Sequence, residues 1–150
     1  MSPNAKAQMD RLTETAGRSA AHRRPGGWCY RAVKKFIAST PGGYGGLNAG
    51  NIYKIPQARA RDFADFMNRD GNAAKYGLRK LDISNPYDAP KGALVVVAPG
   101  TPGTRHPTAG DITIAAGGGR FYNDGNMGYG GPRNFPPGNR HVLGIYVPAN

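Results

Sequence analysis

A chain of 150 residues has the length of one domain with a core of its own, and its single cysteine excludes a fold stapled by internal disulfides. The 23 glycines and 13 prolines indicate that much of the chain forms turns and loops. With 20 Lys and Arg residues against 9 Asp and Glu residues, the net charge of +11 favours anionic partners, such as nucleic acid, a lipid head-group surface or an acidic wall polymer.

Three helices are predicted in the first half of the chain. Residues 4–24 carry apolar side chains at three- and four-residue spacing, which is typical of a helix. After "RRPGG" a second helix begins near Trp28, with an apolar stripe of Trp28, Cys29, Ala32, Val33, Phe36 and Ile37. A glycine-rich loop follows at 39–51. The third helix is expected directly after Pro56, with Ala60, Phe63, Phe66 and Met67 on its core side and "NRDGN" at its end.

The second half of the chain has the pattern of short strands. They are predicted at 76–83, 92–100, 110–119, 119–124 and 140–148. The third alternates, with Ile112 and Ile114 on one face and Asp111 and Thr113 on the other, and a glycine turn joins it to the fourth as a hairpin. We therefore expect an α+β fold in a single domain over 1–150. Its parts are an N-terminal helix (1–24), two further helices (25–75) and an antiparallel sheet (76–150).

Cys29 lies in "PGGWCYRAVKKF", at the predicted start of the second helix. The N-terminus of a helix carries partial positive charge, which stabilises a thiolate and lowers the pKa of a cysteine there. The alternative is a small buried apolar side chain, which is the commoner fate of a lone cysteine. Cys29 is therefore a candidate nucleophile.

A nucleophilic cysteine needs a base, and the base needs a group that orients it. His106 and His141 each precede a predicted strand, whereas His22 lies on the first helix beside two arginines and is expected to be solvated. Either His106 or His141 could supply the base. The orienting group could be Asp124 or Asn123, with Asp111 as the competing acid; "FYNDG" is also an ordinary turn sequence.

The cysteine at a helix start, followed by "APKGALVVV", a histidine and "GDITIAAGGGRFYND", resembles the papain-like peptidoglycan hydrolases, the group that contains the CHAP (cysteine, histidine-dependent amidohydrolase/peptidase) domains. The resemblance covers roughly residues 25–125. It implies a papain-like fold with Cys29 as nucleophile, His106 as base in preference to His141, and Asp124 or Asn123 as orienter. One position departs from the family pattern, because Asp111 stands where the family's histidine usually begins the strand.

This resemblance implies a cysteine peptidase or amidase that cuts an amide bond of the peptidoglycan stem peptide, as a phage endolysin or an antibacterial effector. Its partners would be peptidoglycan and anionic envelope polymers, together with an immunity or delivery protein, and we expect a monomer. The alternative is a non-catalytic basic module for nucleic acid or cell wall, in which Tyr44, Tyr122 and Tyr129 would stack bases or sugars. No nucleic-acid motif supports that alternative, and it leaves the position of Cys29 unexplained.

Three His and one Cys at wide spacing do not form a four-ligand zinc site, so neither a metal nor another cofactor is expected. No apolar run approaches the roughly 20 residues of a membrane span, and the N-terminus lacks the apolar stretch of a signal peptide. We therefore expect synthesis in the cytoplasm, followed by release or delivery to the periplasm or the cell wall.

Overall fold

The computed structural model describes residues 1–56 and 58–150. The chain folds as α+β, with helices in its first half and an antiparallel sheet in its second, as the sequence predicts. The helices are α1 (Pro3–Ala20), α2 (Cys29–Ser39), α3 (Ala60–Met67) and α4 (Asn72–Lys75). The strands are β1 (Leu78–Lys80), β2 (Leu94–Val97), β3 (Asp111–Gly117), β4 (Arg120–Tyr122), β5 (Asn126–Met127) and β6 (Val142–Pro148).

The six strands form one sheet in the order β1-β6-β2-β3-β4-β5, and every described pairing is antiparallel. The C-terminal strand therefore lies inside the sheet, between β1 and β2. The predicted hairpin is present, because β3 and β4 pair around a turn of glycines with positive φ at 117–119. None of the helices in the described ranges is long and apolar enough to cross a bilayer.

Helices cover one face of the sheet. Leu94 of β2 pairs with both Ile114 and Tyr146, so these three side chains share a face. Phe63 of α3 packs edge-on against Tyr146, with ring centroids 5.7 Å apart, which places α3 on that face. The apolar stripes of α1, α2 and α3 are buried here, and they form one core with the strands.

The opposite face of the sheet is covered by loops. Phe121 of β4 packs on Tyr87 and Tyr129, and Phe135 packs on the same two tyrosines, so the aromatic rings form one cluster. Under this cluster, the polar residues Asp111 and Thr113 of β3 are 5% and 0% exposed. Both faces of β3 are therefore buried. The polar side chains on the face of Asp111 and Thr113 need hydrogen-bond partners inside the protein.

Several predicted element boundaries are wrong. Trp28 is not part of the apolar stripe of α2, because it precedes the helix and is 63% exposed. The third helix begins at Ala60 and not directly after Pro56, because the Asp62 carboxylate accepts the backbone N–H of Arg59 at 2.9 Å and fixes the helix start there. The strand expected over 76–83 is limited to β1, and the loop expected after residue 124 contains β5.

Candidate active site

Cys29 is the first residue of α2 and is half-buried. The loop at 21–28 that leads into it is held by Asp124, which follows β4 by two residues. Oδ2 of Asp124 accepts the backbone N–H groups of Gly26 at 2.8 Å and Trp28 at 2.9 Å. Asp124 therefore fixes the backbone directly before the thiol.

Two neighbours of Asp124 hold the same loop. The backbone N–H of Asn126 donates to the carbonyl of Arg23 at 2.9 Å, and its side-chain amide donates to the carbonyl of Ala21 at 3.1 Å. A side chain at Gly125 would collide with the backbone of Arg24. The turn at 123–126 thus draws the chain away from the helical path, which explains why α1 ends at Ala20 and not at residue 24.

Asp111, the first residue of β3, lines the same pocket as Cys29, and its carboxylate is close enough to the thiol to affect the pKa of Cys29. Burial raises the pKa of Cys29 to about 12, and the nearby charge of Asp111 acts in the same direction. Backbone N–H groups of Ile112 and Tyr30 lower the pKa by a smaller amount. The expectation of a lowered pKa is therefore wrong, because burial and a neighbouring carboxylate outweigh the helix N-terminus.

His106 lies in the exposed loop before β3. Its Nδ1 accepts the backbone N–H groups of Ala109 at 3.1 Å and Thr108 at 3.3 Å. Because Nδ1 is the acceptor, the neutral ring carries its proton on Nε2. As arranged, His106 is a hydrogen-bond donor through Nε2.

A pocket of about 30 Å³ brings the candidate residues together, since Cys29, His106, Asp111, Asn123 and Asp124 all line it. Within the described residues, no hydrogen bond joins His106 to Asp124, and Oδ1 of Asp124 is buried with no partner. The roles of His106 as base and Asp124 as orienter stay predictions.

The other histidines lie elsewhere. His141 precedes β6 and packs edge-on against Phe135, with ring centroids 5.8 Å apart, and His22 is exposed after the end of α1. Neither residue lines the pocket at Cys29. Of the three histidines, His106 is the one that lines the pocket at Cys29.

A second, open cleft of about 700 Å³ also includes Cys29 and His106. Trp28 and Tyr53 line it and are 63% and 46% exposed, and they are the large aromatic side chains most open to solvent in the described chain. Tyr53 was not singled out from the sequence, because its neighbours "NIYKIP" give no signal of a binding site. Tyr44 and Tyr129, which were, are fully buried and cannot stack on a ligand.

The cleft also carries basic residues, Arg31, Lys34 and Arg59. The Arg31 guanidinium lies 5.6 Å from the centroid of the Trp28 ring, and Lys34 Nζ lies 4.2 Å from that of Tyr30. Arg59 pairs with Asp62 at 2.9 Å.

The described residues contain no group of three His, Cys, Asp or Glu side chains placed to hold a metal ion. The site therefore contains the Cys29 thiol, the buried Asp111 carboxylate and the Nε2–H donor of His106, and it lies at the edge of a cleft lined by basic and aromatic side chains.

Comparison with protein-family models, with curated proteins and with solved structures finds no match to this chain.

Proposed function

We propose that this protein is a cysteine hydrolase of papain-like architecture that cuts an amide bond in the stem peptide of peptidoglycan. The observation that carries the proposal is the position of the single cysteine. Cys29 begins a helix, contacts a carboxylate and opens on a cleft of about 700 Å³. A buried structural cysteine would not need a cleft of that size, and a nucleophile does.

The cleft supports the substrate class. Stem peptides carry free carboxylates, and the exposed Arg31 places positive charge in the cleft that contains Cys29. Trp28 and Tyr53 offer flat apolar faces on which sugar rings or peptide backbone can pack. A net charge of +11 increases the encounter rate with an anionic cell envelope. The protein would act as a phage endolysin or as an antibacterial effector, in the periplasm or on the wall.

Replacing Cys29 tests the proposal directly. In the Cys29→Ala variant we expect release of muropeptides from purified sacculi to fall by at least about a thousandfold, because the nucleophile is removed. Mass spectrometry of the released fragments measures the rate and identifies the bond that is cut. The melting temperature of the variant is the control, and it is expected to stay close to that of the wild type.

Two results would contradict the proposal. The first is a Cys29→Ala protein that digests sacculi at nearly the wild-type rate. The second is a wild-type protein that adsorbs to sacculi without releasing any fragment, which would assign the chain to the class of non-catalytic binding modules.

A further inference from the structure

The Asp111 carboxylate is the centre of a buried hydrogen-bond network beside the thiol. Oδ1 accepts from the Asn123 side-chain amide at 3.1 Å, and Oδ2 accepts from the Tyr129 hydroxyl at 3.2 Å. The Cys29 thiol lines the same pocket as this carboxylate and interacts with it electrostatically. Asp111 is 5% exposed, and Asn123 is 2% exposed. The carboxylate is therefore almost fully shielded from solvent.

The orientation of both donors is fixed. Oδ1 of Asn123 accepts the backbone N–H of Gly125 at 3.1 Å, so its NH₂ group is the one that faces Asp111. The Tyr129 hydroxyl lies 2.8 Å from that of Thr113. Because Tyr129 donates to Asp111, Thr113 donates to Tyr129. These donors favour the ionised carboxylate, which can accept a proton.

The other charged groups at this pocket are less suited to accept the thiol proton. His106 uses Nδ1 to accept backbone N–H groups and presents Nε2–H. Asp124 holds the backbone of Gly26 and Trp28 through Oδ2, and although its Oδ1 has no partner, Asp124 is not among the groups that shift the pKa of Cys29. Arg105 also lines the pocket and is cationic. Within the described chain, Asp111 is the side-chain acceptor in contact with the sulfur.

We propose that Asp111, and not a histidine, accepts the proton of the Cys29 thiol when the sulfur attacks the substrate. The inference rests on the proposed hydrolase function and names the base of its reaction. In the family that this sequence resembles, a histidine usually stands at the start of this strand. Here Asp111 would take its role as the general base.

The step balances as follows. Sγ forms a bond to the amide carbon, its proton moves to Asp111, and the carbonyl π electrons move to oxygen. Collapse of this tetrahedral species breaks the C–N bond, and the leaving amine takes the proton from Asp111. Water then attacks the thioester and gives a proton to Asp111. Cleavage of the C–S bond releases the carboxylic acid, and the thiolate recovers that proton.

The pKa values of the pair predict a distinctive pH dependence. Burial raises the pKa of Asp111 to about 6, and burial with the Asp111 charge raises that of Cys29 to about 12. Between these values the two groups together hold one proton. The fraction of thiolate paired with a protonated Asp111 is then constant. The fully deprotonated pair adds thiolate that increases tenfold per pH unit, so thiol reactivity should be flat only where the one-proton form supplies most of the thiolate.

Alkylation by iodoacetamide measures that reactivity without any substrate, and Cys29 is the only thiol in the chain. For the wild type we expect a rate that rises to an inflection near pH 6, stays flat over an interval above it and rises again at alkaline pH as the fully deprotonated pair forms. For Asp111→Asn we expect no plateau and a rise of about tenfold per pH unit, as for an isolated thiol. Asp82→Asn, which changes an exposed aspartate, is the matched control and should keep the plateau.

Tyr129→Phe provides a second measurement should Asp111→Asn fail to fold. Loss of the hydrogen bond from Tyr129 raises the pKa of Asp111, so the inflection should move up by about one pH unit. A wild-type rate that rises tenfold per unit over the whole range overturns the inference. So does an inflection that disappears in His106→Ala but survives in Asp111→Asn, which would make His106 the base.

Sacculus digestion by the same variants separates this inference from the proposed function. If Asp111 is the base, Asp111→Asn should lose about 10²- to 10⁴-fold in hydrolysis while Asp82→Asn keeps its rate. Hydrolysis by the wild type without a plateau in alkylation refutes the role of Asp111 and leaves the function standing. A plateau without hydrolysis of any sacculus supports proton sharing by the pair and refutes the function.

Discussion

His106 and Asp111 present opposite chemistry to the same thiol. The neutral His106 ring offers Nε2–H, because Nδ1 accepts the backbone N–H of Ala109. Asp111 offers a carboxylate in the pocket that the thiol lines. A donor of this kind stabilises an oxygen that becomes negative during the reaction, and an acceptor removes the proton that the attacking sulfur loses.

Substitution of His106 separates the two roles. With Asp111 as base, we expect His106→Ala to reduce the rate of sacculus digestion by about 10²- to 10³-fold, as loss of an oxyanion donor does. His106→Gln, which keeps a donor, should recover part of that loss. His141→Ala is the control and should be nearly neutral, since the ring packs on Phe135 away from the pocket. A loss in His106→Ala as complete as that in Cys29→Ala would restore His106 as the base.

At the scale of elements, the turn at 123–126 joins the sheet to the start of α2. Asp124 holds the backbone before Cys29, Asn126 holds the end of α1, and Asn123 donates to Asp111. One β-turn thus positions the nucleophile, the loop before it and the buried carboxylate. The position of the thiol therefore depends on the turn as much as on the helix that bears it.

Gly125→Ala tests this dependence. The added methyl group would collide with the backbone of Arg24 and Pro25, so we expect the free energy of unfolding to fall by about 1–3 kcal/mol. Urea denaturation measures the change. The control is Gly128→Ala, where the new Cβ meets the Tyr87 hydroxyl at 3.4 Å, an ordinary contact, and where the change should stay within about 0.5 kcal/mol. Equal stability of the two variants would contradict close packing at Gly125.

The sequence predicts the elements better than it predicts the network between them. The apolar period of three to four residues placed α1 and α2, and the run of Leu94–Val97 placed β2, because these patterns are local. The contact of Cys29 with Asp111 joins residues that are distant in the chain. Asp111 therefore appeared in the sequence as one of three candidates for the orienting group, and nothing local marked it as the partner of the thiol.

Burial of Tyr129 was missed for the same reason. Its neighbours in the chain are glycines, which suggested an exposed stacking residue. In the fold the ring packs on Phe121 and Phe135, and the hydroxyl reaches Thr113 and Asp111. These contacts come from strands and loops on the far face of the sheet, and a single sequence does not specify which tyrosine a sheet will cover.

For the whole molecule, the charge of +11 and the basic cleft make separate predictions about binding to the cell wall. Adsorption to sacculi should weaken strongly between about 20 mM and about 500 mM salt, because charges on the surface are screened over shorter distances as salt increases. If the cleft is the binding surface, Arg31→Ala should weaken adsorption more than Arg79→Ala, a matched loss of one exposed charge on β1. Equal effects would show that net charge alone recruits the wall, and adsorption independent of salt would exclude both explanations.

The burial of Cys29 beside Asp111 also bears on the reaction of this protein with oxidants. Peroxide attacks thiolates, and the first product, a sulfenic acid, proceeds to irreversible forms when no second thiol is nearby to trap it as a disulfide. This chain has no second cysteine. Because burial, together with the charge of Asp111, raises the pKa of Cys29 to about 12, the resting sulfur is almost entirely protonated at neutral pH, and we expect it to react slowly with peroxide.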